Sequence, residues 1–129
     1  MSSAASIITD ICDLIALKRT LADLQAQYEE EKTMTTSSGV THQVDVVIKD
    51  PQGRDIGLTK TKKGDYQFVA DTKGLTKEQL KRQQVFINKI KQKYAYNQVV
   101  NELKKQGYVI AEEQKVQNNT IKLVARKWA

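Results

Sequence analysis

Thr76-Lys77-Glu78-Gln79 has the pattern of a capping box, a threonine answered three residues later by a glutamine. In that arrangement the two side chains satisfy amides that a helix start leaves free. Helical periodicity follows. Leu80, Phe86, Ile87, Ile90 and Tyr94 fall on one side at about 100° per residue, and Lys81, Arg82, Lys89 and Lys93 fall on the other. Val99, Val100 and Leu103 continue the pattern. Gly107, just after Lys104 and Lys105, supplies a left-handed stop. The spacing predicts one long helix, or two with a break near residues 91–95.

The segments around this helix set what it packs against. Leu14, Leu17, Leu21 and Leu24 recur at three- and four-residue spacing. They predict a first helix from residue 10 or 13 to residue 30, capped by Asp10 or Asp13. Thr35-Thr36-Ser37-Ser38-Gly39 reads as a loop. Val44, Val46 and Ile48 alternate with Gln43, Asp45 and Val47 in strand fashion. Asp50-Pro51-Gln52-Gly53 has turn chemistry. A short strand at 56–59, a turn at Lys62-Lys63-Gly64-Asp65, and alternation through Tyr66, Phe68 and Ala70 complete a three-stranded antiparallel meander. Residues 108–116 and 120–128 flank Gln117-Asn118-Asn119 as a hairpin. A further strand is expected at 6–9. The fold class expected is α+β, one domain over 1–129. It has a single antiparallel sheet of about five strands, the hairpin included, with an N-terminal helix and a long or broken central helix on one face.

Charge is unevenly spread. Residues 1–50 hold four basic and eight acidic side chains, giving −4, so the net +6 of the whole chain leaves +10 for the remainder. A basic half points to an anionic partner or to a solvated lysine-rich surface. Cys12 is the sole cysteine and His42 the sole histidine, too few for a disulfide or a closed zinc site. No apolar run approaches the roughly 20 residues of a membrane span. The first residues, broken by Asp10 and Asp13, lack the basic region of a signal peptide. A cytosolic or plastid-stromal location is expected, with no metal and no cofactor.

Several phrases carry a resemblance: Thr41-His42, Val46-Val47-Ile48, Asp55-Ile56-Gly57, Val69-Ala70-Asp71, Gln92-Lys93-Tyr94-Ala95-Tyr96, Lys105-Gln106-Gly107-Tyr108, Ala111-Glu112-Glu113-Gln114 and Ile121-Lys122-Leu123-Val124, ending at Trp128. In these the chain resembles the family called hypothetical chloroplast reading frame thirty-five, found in cyanobacteria, their phages and red-algal plastids. It departs from that family in its Ser-Ala-Ala-Ser start, at Leu58 and Lys60, and at Thr72-Lys73-Gly74. The resemblance implies a cyanobacterial, phage or plastid setting and brings no activity with it.

No residue set makes a catalytic constellation. His42 and Asp45, three apart in a strand, face opposite ways. Cys12 sits by a helix start, where a thiol pKa can fall, but without a second cysteine it reads as a buried small residue. Glu29-Glu30-Glu31 reads as a solvated helix end. Glu112 and Glu113, adjacent in a strand, diverge, and the six glycines are scattered turn and cap residues rather than a phosphate loop. Candidate binding residues are Lys81, Arg82, Lys89, Lys93, Tyr94, Tyr96 and Asn97, a basic surface interleaved with rings. The expected function is a non-enzymatic accessory protein docking on an acidic protein surface. The alternative is nucleic-acid binding by the basic helix. An enzyme or cofactor carrier built on Tyr66, Asp71, Tyr94 and Trp128 is the third class, lacking a nucleophile, base or metal set at productive spacing.

Overall fold

A computed structural model describes residues 4–115 and 121–127. Two tight turns set the centre of the sheet. Gly53 closes the Asp50-Pro51 turn by donating its N–H to the Asp50 carbonyl at 3.0 Å, and Gly64 closes the next by donating to Thr61 at 3.1 Å. They join strands numbered here in chain order: β5 (Val46–Lys49), β6 (Asp55–Lys60) and β7 (Tyr66–Asp71). This is the expected meander. Strands β1 (Ala4–Ile8) and β2 (Tyr28–Glu29) flank it, so the antiparallel sheet has five strands in the order β1-β7-β6-β5-β2. The expected strand at 6–9 is thus present, two residues earlier.

Helix α1 (Leu14–Asp23) connects the two outer strands. Asp13 caps it, its carboxylate accepting from the Ala16 N–H at 3.1 Å. The helix stops well short of residue 30. Gln25 adopts φ 56°, its N–H donates to Ala22, and the Ala26 N–H donates to Leu21 at 2.9 Å. Those bonds make a Schellman motif, in which the left-handed position usually carries glycine. With glutamine there the sequence signal is absent, and the expectation that residues 24–30 are helical fails for that reason. Glu29 lies in β2, and Glu30 forms an ion pair with Lys18; neither is a helix end.

The expected single strand around 44–48 is two strands in two sheets. β3 (Thr33–Thr35) and β4 (Thr41–Gln43) pair as a separate ribbon. The Val44 N–H donates to Lys32, preceding the ribbon, whereas the Asp45 N–H donates to Leu58 of β6. The chain changes sheets between those two residues.

Helix α2 (Lys77–Lys105) runs for 29 residues without a break, about 43 Å at 1.5 Å per residue. Its capping box is complete: Thr76 Oγ1 accepts from the Gln79 N–H, and the Gln79 side chain accepts from the Thr76 N–H. β8 (Tyr108–Lys115) and β9 (Ile121–Lys127) form the expected hairpin, with a register shift between Ile110 and Glu112. Its turn and Trp128 lie outside the described residues. The hairpin is a sheet of its own, touching α2 through β8, which follows it directly, and does not join the five strands.

Both faces of the large sheet are covered over the meander. On one, Val46, Ile48, Ile56, Leu58, Tyr66, Phe68 and Ala70 pack with Leu17 and Leu21 of α1 and Ile87, Ile90 and Tyr94 of α2. On the other, the ribbon's Met34, with the neighbouring Val44, covers Val47 and Val69. Gly57 makes that second contact possible. A Cβ there would stand 2.6 Å from Val44 Cγ1 and 3.1 Å from Met34 Sδ, so any side chain would lift the ribbon off the sheet.

Candidate functional site

The buried side of α2 is Gln83, Ile87, Ile90 and Tyr94. Leu80, expected on that side, is 39% exposed, and Phe86 is half-buried. Lys81, Arg82 and Lys89 are exposed as expected. With Val85, 47% exposed, they fall within an arc of about 100° on the helix. The structure holds three ion pairs among the described residues: Lys18–Glu30, Lys49–Asp55 and Arg54–Asp71. None uses an α2 side chain. The charges of Lys81, Arg82 and Lys89 are therefore uncompensated by any described carboxylate at ion-pair distance, and an apolar side chain stands among them.

The other predicted residues on α2 serve the protein's own structure. Lys93 is half-buried, with its Nζ 4.7 Å from the centroid of the Tyr96 ring, a cation–π contact one turn along. Tyr94 is in the core. Its hydroxyl oxygen lies 3.2 Å from the Asp13 N and 3.4 Å from the Cys12 N and accepts from both, so α2 supplies a partner for free amides at the start of α1. Burial raises the pKa of that phenol. Asn97 donates to Thr20 Oγ1 at 3.3 Å and to Asp23 Oδ2 at 3.1 Å, fastening the far half of α2 to α1. Replacing Tyr94 by phenylalanine should cost about 0.5–1.5 kcal/mol, read as a lower urea midpoint at unchanged slope. No change in midpoint would mean that water replaces the phenol without loss.

A second polar cluster joins the start of α2 to the sheet. Gln83, 3% exposed, donates its amide to Asp50 Oδ2 at 3.2 Å and to the Asp71 carbonyl at 3.1 Å. Asp50 Oδ1 also accepts from the Gln52 and Arg54 N–H groups. Asp71, 5% exposed, accepts through Oδ2 from the Ser37 hydroxyl at 2.6 Å and the Ser37 N–H at 3.1 Å. Arg54 Nη1 lies 3.6 Å from Asp71 Oδ1 and donates to Ser37 Oγ. Burial acts to raise the Asp71 pKa. The bonds from Ser37 and Lys73, with the Arg54 guanidinium, outweigh it and hold the carboxyl below its ordinary value. The cluster ties the tip of the β3–β4 ribbon to the end of β7. Sequence reasoning left Ser37, Arg54 and Gln83 out. The signal available was Asp71 closing the Val-Ala-Asp phrase, a carboxylate in an apolar strand that must find donors.

The family model described as "Protein of unknown function (DUF1257)" matches residues 20–124. The chain belongs to that family. It is 33% identical over 129 residues to "Uncharacterized protein ycf35" of Pyropia yezoensis, with 99% of this chain and 98% of the relative covered. Identity to the proteins of the same name is 29% over 129 residues in Cyanophora paradoxa and 30% over 131 in Guillardia theta, at the same coverage. No solved structure matches.

Four phrases of the family resemblance meet on the ribbon side of the sheet: His42 in β4, Val47 in β5, Gly57 in β6, and Val69 with Asp71 in β7. His42 pairs in register with Met34 and is half-buried, and its Nε2 has no hydrogen-bond partner among the described residues. Asp45 belongs to the following connection, so the two form no dyad. Cys12 is exposed, contrary to the expectation of a buried residue. It stands in the link between β1 and α1, where its N–H donates to the Tyr94 hydroxyl and its side chain also lies beside that phenol. Tyr66 and Asp71 lie five apart on β7 and so on opposite faces; they and Tyr94 do not converge. No group of three or more His, Cys, Asp or Glu side chains could hold a metal among the described residues. None of the described helices is long and apolar enough to cross a membrane. A groove of about 760 Å³ between α1 and the far half of α2 is lined by Asp13, Asp23 and Glu102 against Arg19, Lys104 and Lys105; its charges balance, and it selects neither sign of ligand.

Proposed function

We propose that this member of the DUF1257 family is a non-enzymatic interaction module. It docks on an acidic surface of a partner protein through Lys81, Arg82 and Lys89, in the cytosol of a cyanobacterium or in a plastid stroma. The observation that carries this reading is the exposed arc of α2, on which three cations surround Val85 against the single carboxylate of Glu78 and form no ion pair among the described residues. Charges around an apolar residue give steering and register while the apolar contact excludes water. Nucleic acid is the less favoured partner. Stacking on a base needs an open ring, and Tyr96 is half-buried beneath Lys93.

The test is reversal of the three charges together, Lys81→Glu, Arg82→Glu and Lys89→Glu. Exposed substitutions each cost within about 0.5 kcal/mol, so the variant should melt close to the parent. Proteins captured by the parent from a nuclease-treated cyanobacterial lysate, once identified and purified, should bind the variant about 100-fold more weakly. A variant that keeps every interaction of the parent removes the basis of the reading. If duplex or single-stranded oligonucleotides bind instead, with log–log salt slopes near −0.9 or about −0.7 per phosphate neutralised, the partner is nucleic acid.

A further inference from the structure

The five-stranded sheet ends in two unlike edges. β2 is only Tyr28–Glu29, and Glu30, Glu31 and Lys32 follow it. Shortness and charge are what keep an edge from pairing with another chain. β1 has five residues, and from Met1 to Thr9 the sequence carries neither a charged side chain nor a proline. Its inner side is paired along its length with β7, from Ala4↔Asp71 to Ile8↔Gln67. No strand pairs with its outer side among the described residues. Alternate backbone N–H and C=O groups on that side are thus left without a strand partner. Ile7 packs against the helix-side core and is only half-buried.

We propose that β1 is a self-association edge. Two copies pair their β1 strands antiparallel about a two-fold axis at Ser6, joining two five-stranded sheets into one of ten. The strand's own sequence argues for a second copy as the occupant. About Ser6, position 7 of one copy is in register with position 5 of the other and position 8 with position 4, so in sequence each isoleucine is matched with an alanine. No like charges meet, whereas a charged peptide strand would find no complementary charge. A two-fold pairing also closes on itself and leaves no growing fibre. Five residues a side make a small interface, so the association is weak and concentration-dependent. The proposal does not depend on the docking role of α2.

Sedimentation velocity on the full chain, without an N-terminal tag, from roughly 1 μM to 1 mM tests it. The expected result is a shift from monomer to dimer. Each chain carries +6, so added salt should strengthen the dimer by screening repulsion, the reverse of its effect on docking. Ser6→Lys and Ser6→Asp, placing like charges opposite each other, should each weaken the dimer by about fivefold or more, and an equimolar mixture of the two should restore it. Hydrogen exchange of the parent gives a measurement free of substitutions: amides 4–8 should slow as concentration rises. A monomer at every concentration overturns the proposal. So does a dimer indifferent to both substitutions, or exchange at 4–8 that ignores concentration.

Discussion

Replacing Phe68 by alanine should destabilise the protein by about 3–5 kcal/mol, the loss of a fully buried aromatic side chain plus the cavity it leaves. Phe68 is 0% exposed. It lies on β7 between Ile7 of β1 and Leu58 of β6, on the face that α1 and α2 cover. No neighbour can follow a collapsing side chain without dragging a strand with it, so little of the cavity should close. At about 4 °C per kcal/mol for a chain of this size, the melting temperature should fall by roughly 12–20 °C. Calorimetry reads this directly. A fall of only a few degrees would mean that the helix layer is loosely seated on the sheet, and the description of one tight core on that side would be wrong.

Asp71→Asn should cost about 1–3 kcal/mol at neutral pH, because the amide keeps one acceptor oxygen and sets its NH2 against the donors on the other side, either those of Ser37 or those of Arg54 and Lys73. It should also change the acid limb of stability. The Asp71 carboxyl titrates below its ordinary value in the folded protein. Its contribution is therefore complete above the unfolded pKa of about 3.9 and is lost as pH falls through the lower folded value. Urea midpoints of the parent should decline across that window. Those of Asp71→Asn should start lower and decline less. Parallel curves for the two proteins would show that the Ser37 and Arg54 contacts stabilise neither protonation state over the other.

Where the chain announced its structure, it did so through local chemistry. Asp50-Pro51-Gln52-Gly53, Lys62-Lys63-Gly64-Asp65 and the Thr76–Gln79 box each hold their conformation by bonds within a few residues. Strands β5 to β7 and the start of α2 follow from them. What escaped notice depends on partners distant in sequence. β2 exists because Tyr28 and Glu29 meet Ile48 and Val47. The ribbon exists because Met34 and Val44 find a hollow at Gly57. Val46, Val47 and Ile48 are all buried, since β5 is covered on both faces, and such a strand shows no alternation. The candidate surface was legible for the same local reason: Lys81, Arg82 and Lys89 share a side by helical geometry alone. Whether Lys93, Tyr94, Tyr96 and Asn97 belong to it was decided by α1 and by packing, at separations of up to 82 residues.

The unbroken course of α2 makes it a spacer of fixed length. Its first half is fastened to the sheet through Gln83 and its second to α1 through Asn97, so neither end can swing about the other. Arg82 and Lys105 are separated by about 35 Å along the axis. A partner seated at Lys81, Arg82 and Lys89 would lie about 24–36 Å along the axis from the end at which the hairpin leaves. Two bodies gripping opposite ends would touch the same rod without touching each other, and their separation would be set by counting residues.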